Sequence, residues 1–349
     1  MNTIPNTRVL LVPFVIACVM ISNEGRLSAT VTFDWVTVGN PGNVPDQDYG
    51  NGKYGSVEKS FRISKYNVTN DQFREYLNIV DPDGLNLNSV YNHHMGSSSR
   101  GGIARDRTAP SGQVYSTKPN MGNKPLNFVS YVVAMKFVNW LENGQPTDGS
   151  GTLSGVYQIN DGISESRAPG SRFFIPNENE WYKAAYYDSR NSLQGGPLGD
   201  DNYWLYPTAS DSGPTTATAN ATGDIDNPGL NVANFASTAD WNGHIGNLTT
   251  VGTAGADSAS FFGTFDQGGN TWEWNETLVD STFRGMRGGS WNSTLAHLAA
   301  SSRFKRSPTQ IGNNIGFRIA SVPEPNTILL AGFAILLSLP KRTVRSAWS

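Results

Sequence analysis

The chain has 349 residues, room for one large domain or two ordinary ones, and a formal charge of −3 at pH 7. That near-neutrality excludes the basic footprint of a nucleic-acid binder, and no basic amphipathic stretch marks a membrane-surface helix. Charged residues are only 16 %, while Gly (37) and Trp (9) are abundant, which predicts a loop-rich fold with aromatic side chains between irregular segments.

Residues 1–29 read as a secretory signal peptide. Arg8 supplies the positive charge, the apolar run at 9–21 is shorter than the about 20 residues a bilayer span needs, and Leu27-Ser28-Ala29 offers a small-residue cleavage site. A lipoprotein leader is the alternative, since Val15-Ile16-Ala17-Cys18 loosely fits a lipobox; the apolar Val19-Met20-Ile21 that follows speaks against it. Cys18 is the single cysteine. A mature chain would then hold no disulfide, thiolate metal site or thiol nucleophile.

Beyond the leader, strands are predicted at 33–38 and 60–66. Thr69 and Gln72 have capping-box spacing, and Phe73, Tyr76, Leu77 and Val80 follow at helical period. Ser130 is placed to cap a second helix with Ala134, Phe137, Val138 and Leu141 on one face; Asn177 and Glu180 begin a third with Trp181, Ala184 and Ala185 turned inward. Strand-like runs recur at 172–175 and 315–321. The polar stretches 86–124, 145–170 and 189–232 read as loops, unusually long for a compact domain. Trp272, Trp274 and Trp291 are expected in the core. His93, His94, His244 and His297 lack the spacing of a metal cluster, and Ser293 with His297 lacks the orienting acid of a nucleophile–base pair. No composition break divides 30–321, so the segment is read as one domain.

At the end of the chain, Val322-Pro323-Glu324-Pro325 precedes an apolar stretch at 328–339, then Lys341, Arg342 and Arg345. A plain membrane anchor with its basic end in the cytoplasm is one reading. The order Pro-Glu-Pro, apolar run, basic tail resembles a PEP-CTERM sorting signal over 322–349. That resemblance implies an exosortase-type sorting protease as partner, transient inner-membrane anchoring, and export to the cell envelope or extracellular matrix of a Gram-negative-type bacterium.

Segments of the middle region resemble the formylglycine-generating-enzyme (sulfatase-modifying-factor) family. Tyr66-Asn67-Val68-Thr69-Asn70-Asp71-Gln72-Phe73 is similar to the family's Y-E-V-T-N-x-Q-F/Y. The stretch 125–141 is similar to its P-V-x-x-V-S-W helix, and Arg172 to Trp181 to R-L-P-T-E-A-E-W. Gly269-Asn270-Thr271-Trp272-Glu273-Trp274, Arg287-Gly288-Gly289-Ser290-Trp291 and Ile315-Gly316-Phe317-Arg318 match G-N-V-W-E-W, R-G-G-S-W and x-G-F-R. The resemblance covers 30–321 and implies an α+β, C-type-lectin-like fold, loop-rich with few short helices and strands.

Enzymes of that family oxidise a client cysteine to formylglycine with copper(I) held by two cysteines. Counted from Ser290-Trp291, the two places fall on Ser293 and Leu298. Soft thiolates suit copper(I); a hydroxyl and a leucine do not, so no copper is expected. The resemblance also implies structural calcium, an ion of hard oxygen ligands. One set carries over to Asp266, the backbone carbonyls of Gly269 and Thr271, and Glu273, the alternative being that Glu273 caps a turn or pairs with an arginine such as Arg287 or Arg318. A second set would use Asn234 and the carbonyl of Phe235, with Asp240 the nearest aspartate. The function expected is an exported, non-catalytic module binding an unidentified surface protein or polysaccharide, with no nucleic-acid partner. The alternative is an oxidase-like protein-modifying enzyme of altered chemistry.

Overall fold

A computed structural model describes residues 30–323 apart from 52, 199 and 200. The leader with Cys18 and the tail from Glu324 onward lie outside the described residues. In chain order the elements are β1 (Trp35–Val38), β2 (Phe61–Ser64), α1 (Asn70–Val80), α2 (His94–Ser97), β3 (Ile103–Arg105), β4 (Tyr115–Thr117), α3 (Tyr131–Glu142), β5 (Phe173–Phe174), α4 (Glu178–Tyr186), β6 (Thr215–Thr216), β7 (Val232–Ala233), β8 (Trp272–Leu278), β9 (Arg284–Arg287), β10 (Phe304–Arg306), β11 (Ile315–Gly316) and β12 (Ala320–Ser321). Short elements between long irregular segments make an α+β, loop-rich chain, as expected. Among the described residues no helix is long and apolar enough to cross a membrane.

The three longest helices start where their caps stand. Thr69 accepts the Gln72 N–H while the Gln72 carboxamide accepts that of Thr69. Asn177 and Glu180 repeat the reciprocal arrangement, and Ser130 accepts the Val133 N–H. Such caps satisfy donors that a helix leaves open at its first turn. The inward faces of α1 and α3 meet through aromatic rings: Tyr76 lies 5.2 Å from both Phe137 and Trp140, and Phe73 5.6 Å from Phe137. Tilted and edge-on ring pairs add about 0.5–1.5 kcal/mol each beyond their buried area.

Two four-stranded sheets flank this core, in the orders β1-β2-β12-β5 and β10-β9-β8-β11. The run expected as one strand at 315–321 is two: β11 pairs parallel with β8 in one sheet, and β12 inserts antiparallel between β2 and β5 in the other. The chain changes sheets just after Gly316. A Cβ there would lie 2.8 Å from the Leu126 carbonyl and from Thr271 Oγ1, so the crossing requires glycine. Phe317 and Ile319 then enter the core, and Arg318 is buried between the sheets.

The stretches read as loops need correcting. Residues 86–124 contain α2 and the β3–β4 hairpin, and 189–232 contains β6. Elsewhere side-chain amides replace the missing ladders. Asn86 Oδ1 accepts the N–H groups of Val90 and Tyr91, and Asn143 Nδ2 donates to the carbonyls of Asn139, Gly151 and Ser154.

Candidate functional site

Strand β8 carries Glu273, fully buried, to the junction of both sheets and α4. Its Oε1 accepts from Arg318 Nη2 (2.7 Å) and Asn67 Nδ2 (3.0 Å). Its Oε2 accepts from Arg318 Nε (2.6 Å) and Trp181 Nε1 (2.7 Å). A two-point guanidinium contact of this kind is among the strongest charge-assisted pairs. Of the alternatives weighed for Glu273, the ion pair with Arg318 is the one formed. Arg287 pairs instead with Glu178, at 2.8 Å. A cation at Glu273 would have to displace a guanidinium.

The rest of the first expected calcium set shares this corner but presents one unpaired carboxylate. Thr271 is buried, and its Oγ1 accepts from Asn67 Nδ2 at 3.1 Å. Gly269 has φ +88°, and a Cβ there would lie 2.2 Å from the Asn234 carbonyl; its N–H donates to Gly288. Asp266 accepts from the Gly252 N–H at 2.7 Å and from Asn270 Nδ2 at 3.4 Å. Burial pushes its carboxyl up to about 6, against the lowering effect of those hydrogen bonds and of Arg318.

The second expected set lies alongside, because Asn234 and Gly269 form a parallel backbone bridge. Asn234 is buried and donates to the Asn247 carbonyl at 2.9 Å, Thr249 Oγ1 at 3.2 Å and Asn270 Oδ1 at 3.3 Å, while its Oδ1 has no partner. Asn247 Nδ2 is also without one. The Phe235 ring packs against Tyr206 and Leu298, and its carbonyl accepts from Thr238. Asp240 is exposed and accepts from the Gly246 N–H, so it serves its own loop. The buried polar residues bonded to Asn234 are Asn247, Thr249 and Asn270, and Asn247 is a neutral amide that nothing in the sequence singled out. Among the described residues no group of three or more His, Cys, Asp and Glu side chains could hold a metal. Of the expected side-chain donors, Asp266 and Asn234 Oδ1 are therefore the ones not already given to a cation.

This arrangement sets a pH dependence. The folded-state carboxyl of Asp266 is raised from 3.8 to about 6, so its contribution is complete below pH 3.8 and is lost as pH rises through 6. In calcium-free buffer Asp266→Asn should therefore stabilise the fold by about 2–3 kcal/mol at pH 7.5 and change little at pH 3.5. Urea denaturation at the two pH values reads this directly. An equal effect at both would exclude a buried charge as the cause.

The positions onto which the family's cysteines would fall lie in the connection between β9 and β10. Ser293 is buried; its Oγ accepts the Ser290 N–H at 3.0 Å and lies 3.0 Å from Ser290 Oγ. Leu298, fully buried, belongs to the apolar cluster of Tyr206, Ala233 and Phe235. Neither offers a soft ligand, so this pair does not fit copper(I). Beside them opens a cleft of about 270 Å³, lined among others by Trp272, Asn292, His297, Phe304, Arg306 and Asn314. Trp272 and Phe304 stack at 5.1 Å, and the Arg306 guanidinium sits 4.7 Å above Phe304. His297 Nδ1 contacts Thr294 Oγ1 at 3.1 Å rather than a carboxylate, so no triad forms. Aromatic rings, amides and a guanidinium in one cleft suit recognition of a polar or anionic ligand.

Residues 36–322 match the sulfatase-modifying factor enzyme 1-like domain. A structure titled "Crystal Structure of CarF" aligns with 18 % identity and a TM-score of 0.51, covering 84 % of this chain and 100 % of that one. Treponema denticola variable protein 1 aligns with 16 % identity and a TM-score of 0.47, covering 85 % and 97 %. PvdO from Pseudomonas aeruginosa aligns with 16 % identity and a TM-score of 0.41, covering 83 % and 92 %. No curated protein matches. The fold is the C-type-lectin-like one expected.

Proposed function

The chain belongs to the sulfatase-modifying factor enzyme 1-like family, and from that premise we propose that this member is an exported, non-catalytic module that binds a protein or glycan at the cell surface or in the surrounding matrix. The observation that carries the reading is the pair Ser293 and Leu298, one held in a serine–serine contact and the other sealed in an apolar cluster. With those residues the copper chemistry of the family has no ligands, while the adjoining cleft keeps its ring, amide and guanidinium lining. Export rests on the leader at 1–29. Sorting by an exosortase-type protease rests on the Pro-Glu-Pro tail. Calcium, in this reading, is a structural ion, drawn to Asp266 in the first set and to Asn234 in the second.

Metal analysis of the full chain, purified without chelator, tests the proposal. The natural protein should carry no stoichiometric copper or iron, and the double variant Ser293→Cys/Leu298→Cys should bind copper(I). Stoichiometric copper or iron in the natural protein would overturn the non-catalytic reading. Retention on matrix extracted from the producing cells, lost with Arg306→Glu, would support the binding role; retention unchanged by that substitution would count against this cleft.

A further inference from the structure

A second cleft, of about 220 Å³, opens where the start of α1 meets residues 120–124, 222–224 and 250. Lys124 lines it, although its own surface is almost entirely covered. The ammonium donates to the Thr222 carbonyl at 2.8 Å and to Thr250 Oγ1 at 2.5 Å. Thr250 Oγ1 in turn donates to Asp224 Oδ1 at 2.5 Å. Beneath the amine lies the Trp241 ring, 4.8 Å away. Gly223 makes room for this stack: a Cβ there would lie 2.5 Å from Trp241 and 2.8 Å from Lys124 Cε.

We propose that Lys124 is a nucleophilic amine that captures a small hydroxy-aldehyde, such as the open-chain reducing end of a sugar, as an imine. Its proton leaves through Thr250 to Asp224. Three observations support this. The amine faces a cleft rather than bulk solvent. A hydroxyl and a carboxylate stand in line to move its proton. The remaining lining (Asp71, Asn120 and Asn123) offers donors and acceptors for ligand hydroxyls.

The chemistry balances without an oxidant or reductant. The neutral amine's lone pair forms the C–N bond as the carbonyl π pair moves to oxygen, which takes up a proton. The surplus proton on nitrogen is the one this oxygen takes up, and the proton that the ammonium first gave to Asp224 by way of Thr250 returns to the departing hydroxyl. The carbinolamine then loses water, leaving C=N. Burial lowers the ammonium pKa to about 8, against the opposing charge of Asp224, so the reactive form is far more abundant near neutrality than on an ordinary surface lysine. Asp71 and Asp224 are the other ionisable groups lining the cleft. This is covalent capture without turnover, at a cleft separate from the one beside Ser293, and it stands or falls independently of the binding proposed there.

The test uses the full chain with glycolaldehyde and sodium cyanoborohydride at pH 7, followed by peptide mass mapping. Lys124 should be alkylated at least about tenfold faster than the exposed Lys59. Thr250→Val should slow it about tenfold or more, Thr250→Ser should restore it, and Lys124→Arg should abolish it. Labelling at Lys124 no faster than at Lys59 would overturn the proposal. So would unslowed labelling in a Thr250→Val protein whose melting temperature is unchanged.

Discussion

Replacing Glu273 with alanine is expected to remove about 3–5 kcal/mol of stability, enough to leave much of the chain unfolded at 37 °C. The substitution strands Arg318, which is fully buried and has its Nε and one Nη on the lost carboxylate. It also removes the acceptor of Trp181 Nε1 and one acceptor of Asn67. The remaining Arg318 bonds, to the carbonyls of Ser64, Lys65 and Phe265, satisfy hydrogens without neutralising charge. A double variant, Glu273→Leu/Arg318→Met, should recover most of the loss, because apolar groups of similar volume carry no desolvation penalty. Urea denaturation with and without chelator reads both. If the penalty of Glu273→Ala vanished in chelator, the carboxylate would be serving an ion rather than the guanidinium.

Glu178→Ala should cost a similar 3–5 kcal/mol, by a different route. Glu178, the first residue of α4, accepts from Arg287 Nε at 2.8 Å and from Arg303 at 2.6–3.0 Å. Arg287 is fully buried, its guanidinium 4.6 Å from the Tyr54 ring and 4.8 Å from that of Tyr182. Removing the shared carboxylate leaves two cations facing each other and takes a favourable negative charge from the helix N-terminus. Arg303 is 29 % exposed, so Arg303→Ala should cost only about 1 kcal/mol. The ordering, measured by chemical denaturation, is the test: equal losses would mean that solvent screens the whole triad.

Local chemistry was readable from the sequence wherever it stayed within a few residues. The caps Thr69, Ser130 and Asn177 announce their helices because the groups they satisfy lie three positions away. Strand β8 was invisible for the opposite reason. Trp272, Glu273, Trp274 and Asn275 are all buried, so the alternation that marks a half-exposed strand never appears. The site suffered similarly. The motif around Glu273 was recognisable and Arg318 was one of two partners considered for it, but the choice depended on a sheet crossing at Gly316 that no local pattern announces. Asn247, thirteen positions from Asn234 and bonded to it through its carbonyl, carried no signal because a neutral amide looks like any loop residue. Lys124 carried no signal either, because the groups that enclose it, Thr222, Trp241 and Thr250, lie about a hundred positions or more away in the chain.

The position of β12 has a bearing on how the chain is made. Residues 320–321 fill the gap between β2 and β5, so the sheet begun by the first strands cannot close until nearly the whole domain has been synthesised. A nascent chain lacking those residues has an open seam through its core and no way to bury Arg318 against Glu273. Folding is therefore deferred to the end of translation. That delay acts as a timer, keeping the unfinished domain open until its last strand is delivered.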